Sequence, residues 1–284
     1  MDEKTPPAHL NPLQRFGWDV KQVRLARNLR QKSLGKAVGY SEAYVSRVEA
    51  GKLLPKPSEK FAKGCDSVFD TGELFTGLLR RIDEGDHPSW FVPYLNLERQ
   101  AARILDYSAN LFMGILQTEE YARAVFRAAH PREEEAVIDG KVAARIRRRE
   151  VFEKTTPPSL WVILHEACLR TVVGGAAVMA RQLEHLVRCA HSTSIDIQVM
   201  PFSAGAPAAY MMPFTLLKFG GSPAVVYSDD PRGGRLYDSD GTVAWALDNY
   251  DRLRAHALSP DASLVLIESV SKEYRHEQQR LAPE

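Results

Sequence analysis

The stretch Leu29–Lys56, LRQKSLGKAVGYSEAYVSRVEAGKLLPK, constrains the fold of this chain more than any other. Lys32–Val38 fits a short helix with Leu34 and Val38 on one face. Gly39-Tyr40 breaks that pattern, and Ser41 is a good N-cap for a further helix over Glu42–Glu49. Gly51 follows where a left-handed residue is expected to end a helix. Upstream, from about Gly17, the residues Val20, Val23, Leu25 and Leu29 recur at helical steps, with Lys21, Arg24, Arg27 and Arg30 between them. Downstream, Pro55 and Pro57 punctuate a loop. Phe61, Cys65 and Val68 then stand at i, i+4 and i+7, and Leu74, Phe75, Leu78 and Leu79 mark a fifth helix. The spacing predicts a small all-α domain of five helices over residues 12–82.

Two short helices joined by a glycine-containing turn form a helix-turn-helix, whose second helix enters the DNA major groove. The groove admits one helix, and each base pair shows it a distinct donor and acceptor pattern. Such a helix needs short polar side chains in front and apolar ones behind. Val45 and Val48 face inward on this reading, leaving Glu42, Ala43, Tyr44, Ser46 and Arg47 outward or lateral. The charge distribution bears on the same point. Residues 1–81 hold 15 Lys/Arg against 9 Asp/Glu, and the remaining residues hold 22 against 27, although the net charge is only +1. Over Asn11–Lys63 the count is 12 against 4. Charge alone leaves two readings open, a module that meets a polyanion and a solvated basic face.

The segment resembles the lambda-repressor-like helix-turn-helix regulators, also called the xenobiotic-response-element type. The matching residues are Gln31, Leu34, Gly39, Ser41, the run Val45-Ser46-Arg47-Val48-Glu49, Gly51-Lys52 and Pro55. The resemblance implies that Gln31 and Lys32 touch phosphates and that Glu42 and Ala43 sit over base edges. It also implies that Tyr44, Arg47 and Lys52 flank them, with Lys56 in the following loop. Phosphate contacts set register, whereas base contacts specify sequence. Five positions depart from the family pattern. Arg30 replaces a small hydroxyl cap, and Gly35 replaces an alanine at a cost of up to about 1 kcal/mol in helix propensity. Leu53-Leu54 is apolar where polar residues are common, and Glu42 is acidic.

The polar stretch Asp83–Pro88 marks a domain boundary, with a second domain over 89–276. Glu98–Tyr107, Glu119–Ala129, Arg132–Phe152 and Gly175–Ala190 read as helices. Leu160–Leu164, Ile195–Met200, Phe214–Phe219, Ala224–Tyr227 and Arg235–Tyr237 read as strands. Val243–Leu258 and a helix capped by Asp261 close the chain. The second domain is expected to be α+β, with a mostly antiparallel sheet. Trp90-Phe91, Glu98–Ala101, Gly114–Ala122, His165–Arg170, Val178–Leu183, Val199–Phe202 and Leu258–Pro260 resemble a domain common in actinobacterial regulators of this architecture. That resemblance, over residues 90–272, implies an antitoxin-like regulator, often found beside a small partner protein. Met113 stands where a proline is usual.

No catalytic constellation emerges. His165-Glu166 begins an H-E-x-x-H, but Leu169 occupies the second ligand position, so Glu166 is expected in a structural salt bridge. His185, Cys189 and His191 lack further metal ligands. Gly174-Gly175 has neither phosphate-loop spacing and reads as a strand-to-helix turn. The run Arg145–Arg149 is expected on a solvated helix or in a contact between subunits. Trp161, Phe202, Tyr210, Met211, Met212, Phe214 and Tyr227 either line a pocket gated by Ser203–Pro213 or form plain core. Three scattered cysteines, no secretory leader and no apolar membrane span point to the cytoplasm. The expectations are therefore a non-enzyme without cofactor or metal that binds double-stranded DNA through the major groove. The second domain is expected to homodimerise and to receive a small molecule or a small partner protein.

Overall fold

The computed structural model describes residues 12–52, 57–84, 90–206, 211–230 and 233–281. The chain divides into two compact units, one running to Asp86 together with Glu135–Gly140 and the other holding the remainder. The first carries α1 (Pro12–Ala26), α2 (Gln31–Val38), α3 (Glu42–Glu49), α4 (Glu59–Phe69) and α5 (Leu74–Glu84). Their apolar stripes meet in one core around Phe16, Val20, Leu34, Val45, Val48, Phe61 and Phe75, as the spacing predicts.

Two buried polar devices fix how these helices meet. Arg24 of α1 grips Glu49 of α3 through both forks, Nε to Oε1 at 2.5 Å and Nη2 to Oε2 at 2.8 Å, with side chains 8% and 3% exposed. Arg24 Nη1 also donates to the Leu29 carbonyl, at 2.7 Å. Asp66 of α4 caps the first turn of α5 from outside it. Its carboxylate accepts from the N–H groups of Phe75 and Thr76 and from the hydroxyls of Thr76 and Thr71, all at 2.7–2.8 Å. Burial pushes this carboxyl up, but those four donors outweigh it and hold it below the usual aspartate value. The stabilisation is therefore present above the unfolded pKa and is lost as pH falls through the lower folded value. Asp66→Ala should cost about 2 kcal/mol and unprotect the amides of Phe75 and Thr76 in hydrogen exchange on the full chain. Unchanged protection of those two amides would contradict the assignment.

The second unit is α+β. Its described elements begin with α6 (Val92–Gln100), β1 (Arg103–Ser108), a 3-10 turn (Gly114–Leu116), α7 (Glu119–Ala129), α8 (Glu135–Arg147, whose residues to Gly140 group with the first unit) and β2 (Ser159–His165). They continue through α9 (Glu166–Arg170), α10 (Ala176–Ala190), β3 (Ile195–Met200), β4 (Phe214–Lys218), β5 (Val225–Asp230), β6 (Gly233–Tyr237), α11 (Asp240–His256) and α12 (Pro260–Leu281). The six strands lie in the order β3-β2-β1-β4-β5-β6. β1, β2 and β3 run parallel, with Leu105 opposite Trp161 and Val162 opposite Ile197, and the other three ladders are antiparallel. The sheet is thus mixed rather than mostly antiparallel, because helices span both connections among the first three strands and permit parallel crossovers. One face packs Ile104, Val162, Ile197 and Leu217 under α10 and α12. The other packs Leu105, Ile163 and Leu216 under Tyr250 and Leu253 of α11.

Several expectations are corrected here. Glu98–Tyr107 is not one helix, since α6 stops at Gln100 and β1 begins at Arg103. Gly174-Gly175 joins two helices, α9 and α10, rather than a strand and a helix. The cap of α12 is Ser259, whose Oγ accepts from Ala262 N at 3.2 Å, and Pro260 takes the first helical position that suits it. The aromatic set is split between the two faces of the sheet, with Tyr227 on one and Met211 and Phe214 on the other, while Phe202 and Met212 are exposed. Tyr210 lies outside the described residues. Glu166 does form the expected salt bridge, to Arg170 at 2.8 Å. Cys65, Cys168 and Cys189 are all free thiols.

Candidate nucleic-acid interface

The geometry of α2 and α3 follows from two glycines and two caps. Gly39 closes α2 in the left-handed region, at φ 78°, which a side chain would strain. Gly35 allows the tight approach of the two helices, since a Cβ there would stand 2.7 Å from the Tyr40 carbonyl oxygen. The departure from alanine is therefore a packing requirement, beyond any propensity cost. Ser41 caps α3 by accepting from Tyr44 N at 3.1 Å. At the other end Gly51, at φ 62°, donates to Val48 O, and Lys52 N reaches back to Arg47 O at 3.0 Å. This paired closure is a Schellman motif, and it turns the chain out sharply at Lys52.

Within this frame Val45 and Val48 are buried, while Glu42, Ala43, Ser46 and Arg47 are exposed. Lys32 and Lys52 are exposed as well, and α2 further exposes Ser33 and Lys36, which the sequence reading did not single out. Arg30 precedes α2 without any side-chain cap. The first amides of α2 are therefore available to a phosphate oxygen, favoured there by the helix dipole.

Two of the expected contact residues are committed inward. Gln31 is half-buried, and its amide nitrogen donates to Glu49 Oε2 at 2.8 Å, joining the Arg24 pair. Tyr44 is half-buried too, stacked on Tyr40 with ring centroids 4.4 Å apart, and its hydroxyl accepts from Ser58 N at 3.2 Å. Tyr40 in turn bonds Ser58 Oγ at 2.5 Å, and Ser58 caps α4 by accepting from Phe61 N. The tyrosine pair thus braces α3 against α4. Lys56, with Leu53-Leu54 and Pro55, lies outside the described residues.

Residues 15–69 match a model described as a helix-turn-helix domain. Residues 91–269, more than half of the chain, match a family described as a domain of unknown function (DUF5753). The chain belongs to that family. No curated protein and no solved structure matches it. The helix-turn-helix match supports a DNA-binding regulator, and its span takes in α2, the glycine turn and α3. In the DUF5753 portion, no group of three or more His, Cys, Asp or Glu among the described residues is placed to hold a metal ion. Among those residues no helix is long and apolar enough to cross a membrane.

Proposed function

We propose that this chain is a cytoplasmic, sequence-specific transcriptional regulator that reads the DNA major groove with α3. The observation that carries this reading is the exposed row Glu42, Ala43, Ser46 and Arg47 on a helix capped at both ends and backed by buried valines. Lys32 and Lys52 flank it as phosphate contacts. Gln31 and Tyr44 act there chiefly by holding α2 and α3 in place. Glu42 suits a cytosine amine and opposes phosphate. No enzymatic role is assigned to either domain.

One such module covers few base pairs, so two copies spaced by about one helical turn supply the specificity. The DUF5753 domain is proposed to dimerise and to receive a small-molecule or small-protein signal that changes the spacing of the reading heads. A monomeric mass for the full chain at micromolar concentration, with and without DNA, would remove the dimer from this reading. An antitoxin-like role, with DNA binding serving autoregulation, is the second reading, carried by the resemblance of residues 90–272 to antitoxin-like regulators. Co-purification of a small protein encoded nearby would favour it.

The deciding test is fluorescence anisotropy on the DNA upstream of the chain's own gene, across a salt series, with wild type and Arg47→Ala. Affinity should fall steeply with salt, and the variant should lose about 1–3 kcal/mol if Arg47 reads a base, or about one unit of salt slope if it holds a phosphate. Wild-type binding that ignores salt would overturn the reading.

A further inference from the structure

Contrary to the expectation of a solvated run, Arg145 in the last turn of α8 and Arg148 and Arg149 just beyond it are turned inward around Gly114–Gln117, while Arg147 is exposed. Arg148 has a counter-charge. Its Nε and Nη2 donate to Glu98 at 3.0 and 2.6 Å, in a pair whose side chains are 7% and 1% exposed. Arg145 and Arg149 have no ion-paired carboxylate among the described residues, although the charges of Glu98 and Asp229 act on Arg145 from further off. Arg145 donates Nη1 to the neutral Gln117 Oε1 at 2.8 Å and lies 4.6 Å over the Phe126 ring. Arg149 donates to the carbonyls of Ile115 and Gln117. Among the described residues no carboxylate comes within 4.0 Å of either guanidinium. Asp229, whose charge also acts on Arg145, is exposed and accepts the Tyr227 hydroxyl at 2.6 Å.

Arg145 carries a second sign of incompleteness, because its Nε is sealed from solvent and has no acceptor. Gly114 is what lets Arg145 and Arg148 converge. A Cβ there would stand 2.5 Å from Arg148 Nη1, and 3.0 and 3.1 Å from Arg145 Cδ and Nη1. Burial, and then the neighbouring Arg148, pull the Arg145 guanidinium down to about 10. The charges of Glu98 and Asp229 offset only part of this. Pinning the turn does not explain the charge either. Gln182 already holds it, through Leu116 O and Thr118 N at 2.8 and 2.7 Å, and Arg149 holds it again. A buried cation without an ion-paired carboxylate is costly, and an oxyanion would relieve that cost.

We propose that Arg145 and Arg148, meeting at Gly114, form a binding site for a small oxyanion, the carboxylate or phosphate group of an effector. The Nε–Nη2 fork of Arg148 is taken by Glu98, so the anion would meet Arg148 through Nη1 and would supply the acceptor that Arg145 Nε lacks. The proposal deepens the reading that the second domain receives a small-molecule signal, and only its regulatory consequence rests on that reading.

The test is thermal denaturation of the full chain at constant ionic strength, titrating inorganic phosphate or acetate against chloride. One of the two anions should raise the melting temperature of the wild type saturably, by about 2–5 °C. A response to phosphate alone assigns a phosphoryl ligand, and a response to acetate alone assigns a carboxylate. Arg145→Gln should abolish the shift. Arg145→Lys, which keeps the charge but not the fork, should weaken half-saturation about tenfold. No saturable shift in the wild type would overturn the site, as would an equal shift in wild type and both variants, the mark of general salt exclusion. If an anion binds through Arg145 yet leaves operator affinity unchanged, the site stands and the signalling reading falls.

Discussion

Glu49→Ala is expected to cost the first domain about 3–5 kcal/mol, because it strands the Arg24 guanidinium in the core without its counter-charge. Domains of this size are stable by about 5–15 kcal/mol in total, so about a fifth or more of the margin would go. The pair welds α1 to the C-terminal end of the reading helix, and Gln31 leans on the same carboxylate from the start of α2. One substitution thus loosens three helices together. Urea unfolding of the full chain, followed by hydrogen exchange at α1–α3, measures the effect. The double variant Arg24→Met/Glu49→Leu should recover most of the loss, since it removes both charges from the core. A single-variant cost below about 1 kcal/mol would mean that water screens the pair and that apolar packing alone sets the helix geometry.

Glu98→Ala should be comparably severe in the second domain, at about 3–5 kcal/mol. It leaves Arg148 buried beside Arg145, with no ion-paired carboxylate, and it removes the acceptor of the Tyr94 hydroxyl, 2.7 Å away. The melting transition of the second domain should fall by several degrees, and Arg148→Met in the same background should restore part of it. Phosphate or acetate should rescue Glu98→Ala more than wild type, because the vacated position leaves Arg148 without its counter-charge. A variant that melts like wild type would show that the Arg148–Glu98 pair contributes nothing net.

The helix-turn-helix fold is almost fully legible because its rules are local. Ser41, Gly39 and Gly51 announce caps and turns within a few residues, and Val45 and Val48 announce the buried side. Tyr44 and Gln31 were harder, because their partners Ser58 and Glu49 are distant in sequence and no spacing rule links them. β1 was missed for a physical reason. As a central strand it is buried on both faces, so Arg103–Ser108 shows no alternation by which to know it. The basic run of α8 misled for a related one, since its counter-charge and carbonyl acceptors sit on Glu98 and Gly114–Gln117, a long way back along the chain. Sequence shows that charges are close to each other, but not that a fold has turned them inward.

The turn from α11 into α12 has a bearing on assembly. Leu258 N donates to Val199 O at 2.9 Å, and Val199 N donates to Ser263 Oγ at 2.8 Å, so both backbone groups of that outer-strand residue are occupied. A strand adding along the whole of β3 would have to displace these contacts at Val199. Extension of the sheet between copies is thereby disfavoured on the β3 side, which leaves β6 as the other edge. An association that uses one edge per copy closes at two and has no edge left on which to propagate into a fibre.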